Sequence, residues 1–354
     1  MSDKSKEEKV STTLFQKRWK KFKSLKRGYY SFIIVVIFYI FSFLLPFFVG
    51  RDALIVKYEG EYYFPVFKFY LAETFRQKEV QGEANYRMLK EQFKQQDNDN
   101  WVLMPVYPYG PNENLLDELT EIPPTHPNNV HFFGTDDRGR DVLARLLYGF
   151  NIGISFSLIV TILSYTIGVS IGSMLGFFGG KVDIFGQRLI EIWSTLPFLY
   201  VMIILSSILN PNFLLLTFVL TLFGWMGMTY YVRGEFYREK ARDYVSAAVS
   251  MGAGNSKIIF KHILPNALTP VITFLPFAIV ANIFSLVALD YLGFGLPPPT
   301  PSWGQLMSQG MQNIEKWWLI GTPLIAMFLT LLSITFIGEA IREAFDPKVY
   351  SRLR

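Results

Sequence analysis

Gly134-Thr-Asp-Asp-Arg-Gly-Arg-Asp141 packs three carboxylates and two guanidiniums into eight residues. Carboxylates and guanidiniums pair in fixed geometry, and glycine allows backbone turns that other residues resist. Gly134, Thr135, Asp136, Asp137, Gly139, Arg140 and Asp141 are therefore candidates for an ordered polar site. A simpler reading, a charged turn that caps the helix starting at Val142, uses the same residues. A second constellation is Asp243-Tyr-Val-Ser-Ala-Ala-Val-Ser-Met-Gly252, followed by Leu264-Pro265. Tyr244, Ala247, Ala248 and Met251 recur at i, i+3, i+4 and i+7, which places them on one helical face. That small face suits a shallow cleft on another protein. Gly252 follows where a helix C-cap needs positive φ. An ordinary amphipathic connector would show the same spacing.

Other chemistry has little support. The three histidines, His126, His131 and His262, cannot converge on one metal if the first two lie on the opposite side of a membrane from the third. No Ser-His-Asp or nucleophile-elbow arrangement is expected. Cysteine is absent, which excludes disulfides and thiol catalysis. Gly176-Phe-Phe-Gly-Gly-Lys181 has part of a phosphate loop, but Leu175 stands at its first glycine and Val182 at its Ser/Thr. No metal, cofactor or nucleotide is expected on this chain, so any ATP must be hydrolysed elsewhere. Arg188 and Glu191 sit one turn apart and can pair. Asp290 closes an apolar segment; it is either an interfacial anchor or a residue of a translocation path.

These residues are set between long uncharged runs. Half the chain is apolar and 17% is aromatic, including 33 Phe. The runs Phe32–Val49, Asn151–Gly180, Ile192–Tyr231 (two spans broken at Asn210-Pro211-Asn212), Ile263–Leu289 and Trp317–Gly338 give six candidate spans. Residues 1–29 hold ten Lys/Arg against three acids, residues 232–262 six against three, and residues 50–150 eleven against sixteen. The positive-inside rule then puts both termini and the 232–262 loop in the cytosol and 50–150 outside. The basic N-terminus is thus a topology signal, with no nucleic acid implied. Its long basic region, and the lack of a small-residue cleavage site after Val49, predict a retained first span.

The expected organisation is a basic cytosolic tail at 1–29, a first span at 30–49 and an extracytoplasmic insertion with the polar turn at 50–150. A core with spans two to six follows at 151–340, then a cytosolic tail at 341–354. Lys17 to Arg27, with Trp19, Phe22 and Leu25 interleaved, reads either as an interfacial helix against membrane lipid or as a solvated basic tail. In the insertion, Ile55 to Phe64 predicts a hairpin turning at Glu59-Gly60, Glu73–Gln96 is helix-permissive, and Asn112–Asn129 predicts an irregular connection. Gly168, Gly172, Gly176 and Gly180 make a groove for close helix packing. The Pro- and Gly-rich stretch Leu292 to Gly304 forbids regular structure.

The Gly134–Asp141 block resembles the Gly-Thr-Asp-x-x-Gly-Arg-Asp signature of oligopeptide- and dipeptide-type permeases. Ala247-Ala248, Gly252, Leu264 and Pro265 resemble the coupling helix of ABC importer permeases, with Ser246 at its first Glu and His262 at an apolar position. Tyr62-Tyr-Phe-Pro-Val66 and Leu289-Asp-Tyr-Leu-Gly-Phe-Gly-Leu296 are most similar to the peptide-permease subtype of microcin C uptake, and Asp346-Pro347 also fits the family. The resemblance implies an all-α membrane protein with six transmembrane helices of the ABC importer permease type, in a bacterial inner membrane. It implies a second homologous permease, two cytosolic ATPase subunits carrying ATP and Mg, and an extracytoplasmic substrate-binding protein. Tyr244, Ala247, Ala248, Met251, Gly252, Leu264 and Pro265 would couple to the ATPase, and the turn would organise the outer face. Many such permeases carry an acid one turn before Asp290, where this chain has Leu286. Peptides are the implied cargo; a nickel chelate is the alternative, with an ATP-independent transporter or a membrane-anchored receptor as readings from other classes.

Overall fold

The structure is a computed structural model that describes residues 14–78, 80–96 and 99–346. Pro347 and the tail beyond it lie outside the described residues. The chain opens with helices α1 (Leu14–Ser24), α2 (Lys26–Ser42) and α3 (Leu45–Phe48). The break between α2 and α3 follows from Pro46, which has no N–H for the Ser42 carbonyl and crowds it. The insertion holds β1 (Ile55–Tyr58), β2 (Glu61–Tyr63), α4 (Tyr86–Gln95) and β3 (Trp101–Leu103). The bundle consists of α5 (Val142–Phe178), α6 (Gly180–Ser194), α7 (Phe198–Ile208), α8 (Phe213–Lys240) and α9 (Asp243–Ser250). It continues with α10 (Asn255–Lys257), α11 (Leu264–Ala267), α12 (Thr269–Tyr291), α13 (Trp303–Gln312) and α14 (Trp318–Phe345).

Four helices, α5, α8, α12 and α14, are each long and apolar enough to cross a bilayer, and the total is six if each of two bent pairs is one span. The bends are 96° between α1 and α2 and 65° between α6 and α7. If α6 and α7 form one span, its helix starts before the charge-free run, at Gly180, and includes Lys181, Asp183, Arg188 and Glu191. Pro197 sets the bend at the start of α7. The break at Asn210-Pro211-Asn212 is as expected, and the Asn212 side chain caps α8 by accepting from the Leu215 N–H at 2.9 Å. The fifth span begins at Thr269 rather than Ile263, after a π-helical turn at Ile258–Ile263 and the short α11.

Helices α5 and α8 pack as the glycine spacing predicts. A Cβ on Gly168, Gly172 or Gly176 would meet α8 backbone oxygens of Trp225, Thr229 or Arg233 at 2.7 Å each. Gly180 does not join this groove; it opens α6 and faces open space. A second core lies where α5, α12, α13 and α14 converge on Leu146, Ile283, Trp303, Leu306 and Trp318. Helix α1 folds back as well: Phe22 is buried against Ala340 and Ala344 of α14, and Lys21 pairs with Glu343 at 2.9 Å. Trp19 stays 40% exposed.

In the insertion the hairpin turns at Glu59 (φ 50°) and Gly60 (φ 86°), the two positive-φ positions of a two-residue turn. Strand β3 adds to the other side of β1, giving the antiparallel order β2-β1-β3. Glu73–Gln96 is not one helix. A 3₁₀ turn at Ala72–Phe75 ends in left-handed Arg76, and α4 starts afresh from an Asn85 cap. Val56, Phe75, Leu89, Phe93 and Val102 form a small core of their own. Residues 112–129 carry no helix or strand.

Candidate functional site

The Gly134–Asp141 turn is a closed polar network. Asp136 is fully buried. Its Oδ1 accepts from the Arg138 and Arg140 backbone N–H groups at 3.0 and 2.9 Å, and its Oδ2 accepts from Arg140 Nε at 2.8 Å. Asp141 does cap α5, accepting from the Ala144 N–H at 2.8 Å. Its second oxygen accepts from Tyr107 Oη at 2.5 Å and contacts His131 Nδ1 at 2.9 Å. Burial and the Asp141 carboxylate push the Tyr107 phenol well above its usual pKa, so it stays a donor. Gly134 (φ 69°) has no room for a side chain, because a Cβ would lie 2.4 Å from the Thr125 carbonyl oxygen. The turn is anchored to α14 by Trp318 Nε1, which donates to the Thr135 carbonyl at 3.2 Å. Asp137 points outward from this network.

Arg145, on the first turns of α5, is the residue that sequence reasoning missed. It is fully buried, and its Nε lies 3.5 Å from Asp136 Oδ2. Its other nitrogens donate to the carbonyls of Pro111 (2.9 Å), Pro299 (3.2 Å) and Thr300 (3.1 Å). One guanidinium thus fastens the turn, the chain at Pro111 and the 292–302 loop to one helix. An arginine so close to an apolar run is the signal that could have marked it.

Asp290 is the anchor of the 292–302 loop. It is 5% exposed and accepts from the Leu296 N–H at 2.6 Å and Ser302 Oγ at 2.5 Å. It also forms part of the wall of a cavity of about 420 Å³ that includes Asp137, Arg138, Gln305 and Gln309. Leu286, one turn earlier, is buried apolar core.

The second constellation lies at the far end of the bundle. Helix α5 alone has 37 residues, about 55 Å at 1.5 Å per residue, between the polar turn and the region of α9. Gly252 (φ 78°) closes α9 with Ala253 N donating to Ala248 O at 3.0 Å and Gly252 N to Val249 O at 2.9 Å, a Schellman cap. Tyr244, Ala247 and Met251 are exposed, Met251 at 81%. Ala248 is not: with Val245 it is buried against the chain's own π-turn and α8, so it belongs to the inner side of the helix. Periodicity gave the stripe but not the direction in which its edge turns. Leu264 is half-buried in the same cluster, and Pro265 is exposed on the first turn of α11. Tyr244 ties three elements together. Its hydroxyl donates to Glu239 of α8 at 2.7 Å and accepts from Asn266 of α11 at 3.2 Å.

Close by, Asp183 of α6 accepts from Arg233 and Tyr237 of α8, and Lys240 Nζ donates to the Phe177 carbonyl at 2.5 Å. Arg188 and Glu191 do pair, at 2.5 Å on the surface. No metal-holding group of acids, histidines or cysteines exists among the described residues. His126 packs at a tilt against Trp318 while His131 contacts Asp141, so the two have separate partners. Gly168-Val-Ser-Ile-Gly172 has the letters of a nucleophile elbow, but it lies within continuous α5, and Ser170 Oγ donates to the Thr166 carbonyl.

Residues 168–351 match the family model described as a binding-protein-dependent transport system inner membrane component. The chain is 40% identical over 335 residues to the inner membrane ABC transporter permease protein YejE of Escherichia coli (strain K12), covering 94% of this chain and 96% of that one. It is 36% identical over 357 residues to the peptidoglycan transport system permease protein YejE of Agrobacterium fabrum, with 94% and 93% covered. The dipeptide transport system permease protein DppC of Bacillus subtilis is 33% identical over 254 residues, with 70% and 78% covered. Alignments that cover 94% of the chain leave out too little to omit the insertion at 50–130.

Proposed function

The chain belongs to the family of binding-protein-dependent transport system inner membrane components, and from that premise we infer that it is the permease subunit of an ATP-driven importer of peptides or peptide-like compounds. It is a multi-pass inner-membrane transport subunit. The observation that carries the coupling mechanism is α9, an exposed helix hydrogen-bonded to the end of α8 and to the short α11 that leads into α12, on a chain whose phosphate-loop-like segment is incomplete. In this reading Tyr244, Ala247, Met251 and Gly252 dock onto a cytosolic ATPase subunit that binds ATP and Mg. Tyr244 passes movement to α8 through Glu239 and, through Asn266, to α11 just before α12. Alternating access follows when the ATPases close and the spans re-pack.

The remaining partners are a second homologous permease and an extracytoplasmic binding protein that delivers cargo. Both termini and α9 face the cytosol, and residues 50–150 face outward. The Gly134–Asp141 network, pinned by Arg145, holds the outer surface on which the binding protein docks. Relatives named for dipeptide and peptidoglycan transport support a peptide-bearing cargo. The test is co-purification with the ATPase and second permease, reconstitution, and measurement of ATP hydrolysis with and without peptide-loaded binding protein. Stimulated hydrolysis that depends on α9 is expected. Peptide uptake that persists without any ATPase would overturn the reading.

A further inference from the structure

We propose that the segment Phe64–Leu71 of the insertion is a membrane anchor, seated in the outer lipid interface beside the first span. The inference does not depend on what the protein transports. The segment reads Phe-Pro-Val-Phe-Lys-Phe-Tyr-Leu. Phe64, Phe67, Phe69 and Leu71 are exposed, Phe67 at 75% and Phe69 at 59%. Within one short stretch that is far more apolar surface than scattered surface residues provide, and such patches mark an interaction site.

Position identifies the occupant. The Phe67 ring lies 5.7 Å from that of Phe47, at the end of the first span. Helix α2, Lys26–Ser42, rises about 24 Å at helical pitch, most of the roughly 30 Å of a bilayer's hydrocarbon, and Phe47 follows just past its end. Phe47 therefore sits near one membrane boundary, and Phe67 sits at the same level. The patch is continuous with the apolar surface of that span, where Phe41, Phe43, Leu44 and Phe48 are also exposed. Aromatic rings are favoured at this depth.

Charge points the same way. Residues 50–150 carry sixteen acids, yet 64–71 carries none and has Lys68 as its one charge. The Lys68 ammonium sits 5.5 Å over the Tyr70 ring, while Phe67, Phe69 and Leu71 alternate with those two residues along the chain. An amphipathic edge with one cation suits lipid headgroups above and acyl chains below. The insertion is thus held at two places, by its covalent ends and by this loop, and its sheet is fixed relative to the bilayer.

The chain has no cysteine, so Phe67→Cys and Phe69→Cys each accept one nitroxide label in the full complex in lipid nanodiscs. Collisions with oxygen, which partitions into lipid, are compared with collisions with a water-soluble nickel chelate. Phe48→Cys serves as the lipid reference, and Asp99→Cys, whose native side chain is 91% exposed, as the water reference. The oxygen-to-nickel ratio at both 67 and 69 is expected to match Phe48 and exceed Asp99 several-fold. A ratio like that of Asp99 at either position overturns the proposal, as does exclusion of both reagents, which means a protein surface covers the loop. Leu71→Cys replaces either site if its variant does not assemble.

Discussion

Asp183 on α6 and Arg233 on α8 form a two-point ion pair, with Nε to Oδ1 at 2.5 Å and Nη2 to Oδ2 at 2.6 Å. Tyr237, one turn further along α8, donates to the same carboxylate at 2.7 Å. The pair joins α6 to α8 at the end of the bundle that carries α9.

Asp183→Asn removes the charge and keeps the shape. The variant is expected to lose about 1.5–3 kcal/mol of stability, the range for hydrogen bonds to a charged group. Thermal unfolding of the detergent-solubilised protein reads this. Arg233→Lys, which cannot bond at two points, should fall between wild type and Asp183→Asn. Equal melting of all three would show that the pair contributes nothing.

Arg140→Ala is expected to do more than loosen a cap. Arg140 is 3% exposed, and its loss leaves the buried Asp136 carboxylate with Arg145 at 3.5 Å as its nearest cation. Breaking a buried pair costs about 3–5 kcal/mol, against about 1 kcal/mol for an ordinary cap. Arg140→Ala should therefore melt far lower than Asn212→Ala, which removes an ordinary cap from α8. The reverse order would mean that the turn only caps α5.

Gly252 offers a test of coupling that is free of steric clash, since a Cβ there meets nothing within 4 Å. Only its φ of 78° resists substitution. Asn tolerates that conformation, whereas a β-branched residue does so at about 1–2 kcal/mol or more. Gly252→Asn is expected to keep cargo-stimulated ATP hydrolysis and Gly252→Val to lose it while remaining in the membrane. Normal stimulation in Gly252→Val would remove α9 from the coupling path.

For Asp290 the expected outcome is near-normal uptake by Asp290→Asn and loss of uptake by Asp290→Ala. The amide oxygen still accepts from the Leu296 N–H, and the Ser302 hydroxyl can turn to suit it. If instead the negative charge receives a peptide's amino group, Asp290→Asn fails in uptake while its melting temperature stays unchanged.

The spans were readable because uncharged runs of sufficient length have few other uses. Glu59-Gly60 was readable for a similar reason: few residue pairs accept two positive φ values. Strand β3 was not, because Trp101–Leu103 is too short to show alternation and its partner lies far back in the chain. Arg145 could be read as one face of an amphipathic helix, but its true partners are carbonyl groups of residues 111, 299 and 300, which have no sequence signature. Asp183 and Arg233 are separated by a whole span, and neither sits in a motif. For Ala248, spacing defined the stripe correctly, and only the π-turn packed beneath it decides which side of that stripe is hidden.

The clasp between α1–α2 and α14 bears on how the protein is made. A Cβ on Gly28 would lie 2.2 Å from that of Ala340, and Phe22 rests on Ala344, so the earliest helices to leave the ribosome find their seat on the final described one. For most of translation that seat does not exist, and Phe22 and the Gly28 face of α2 have only lipid or a helper protein to cover them. Completion of α14 is then the event that closes the ring of helices, and a chain interrupted before it presents an open flank that membrane quality control can recognise.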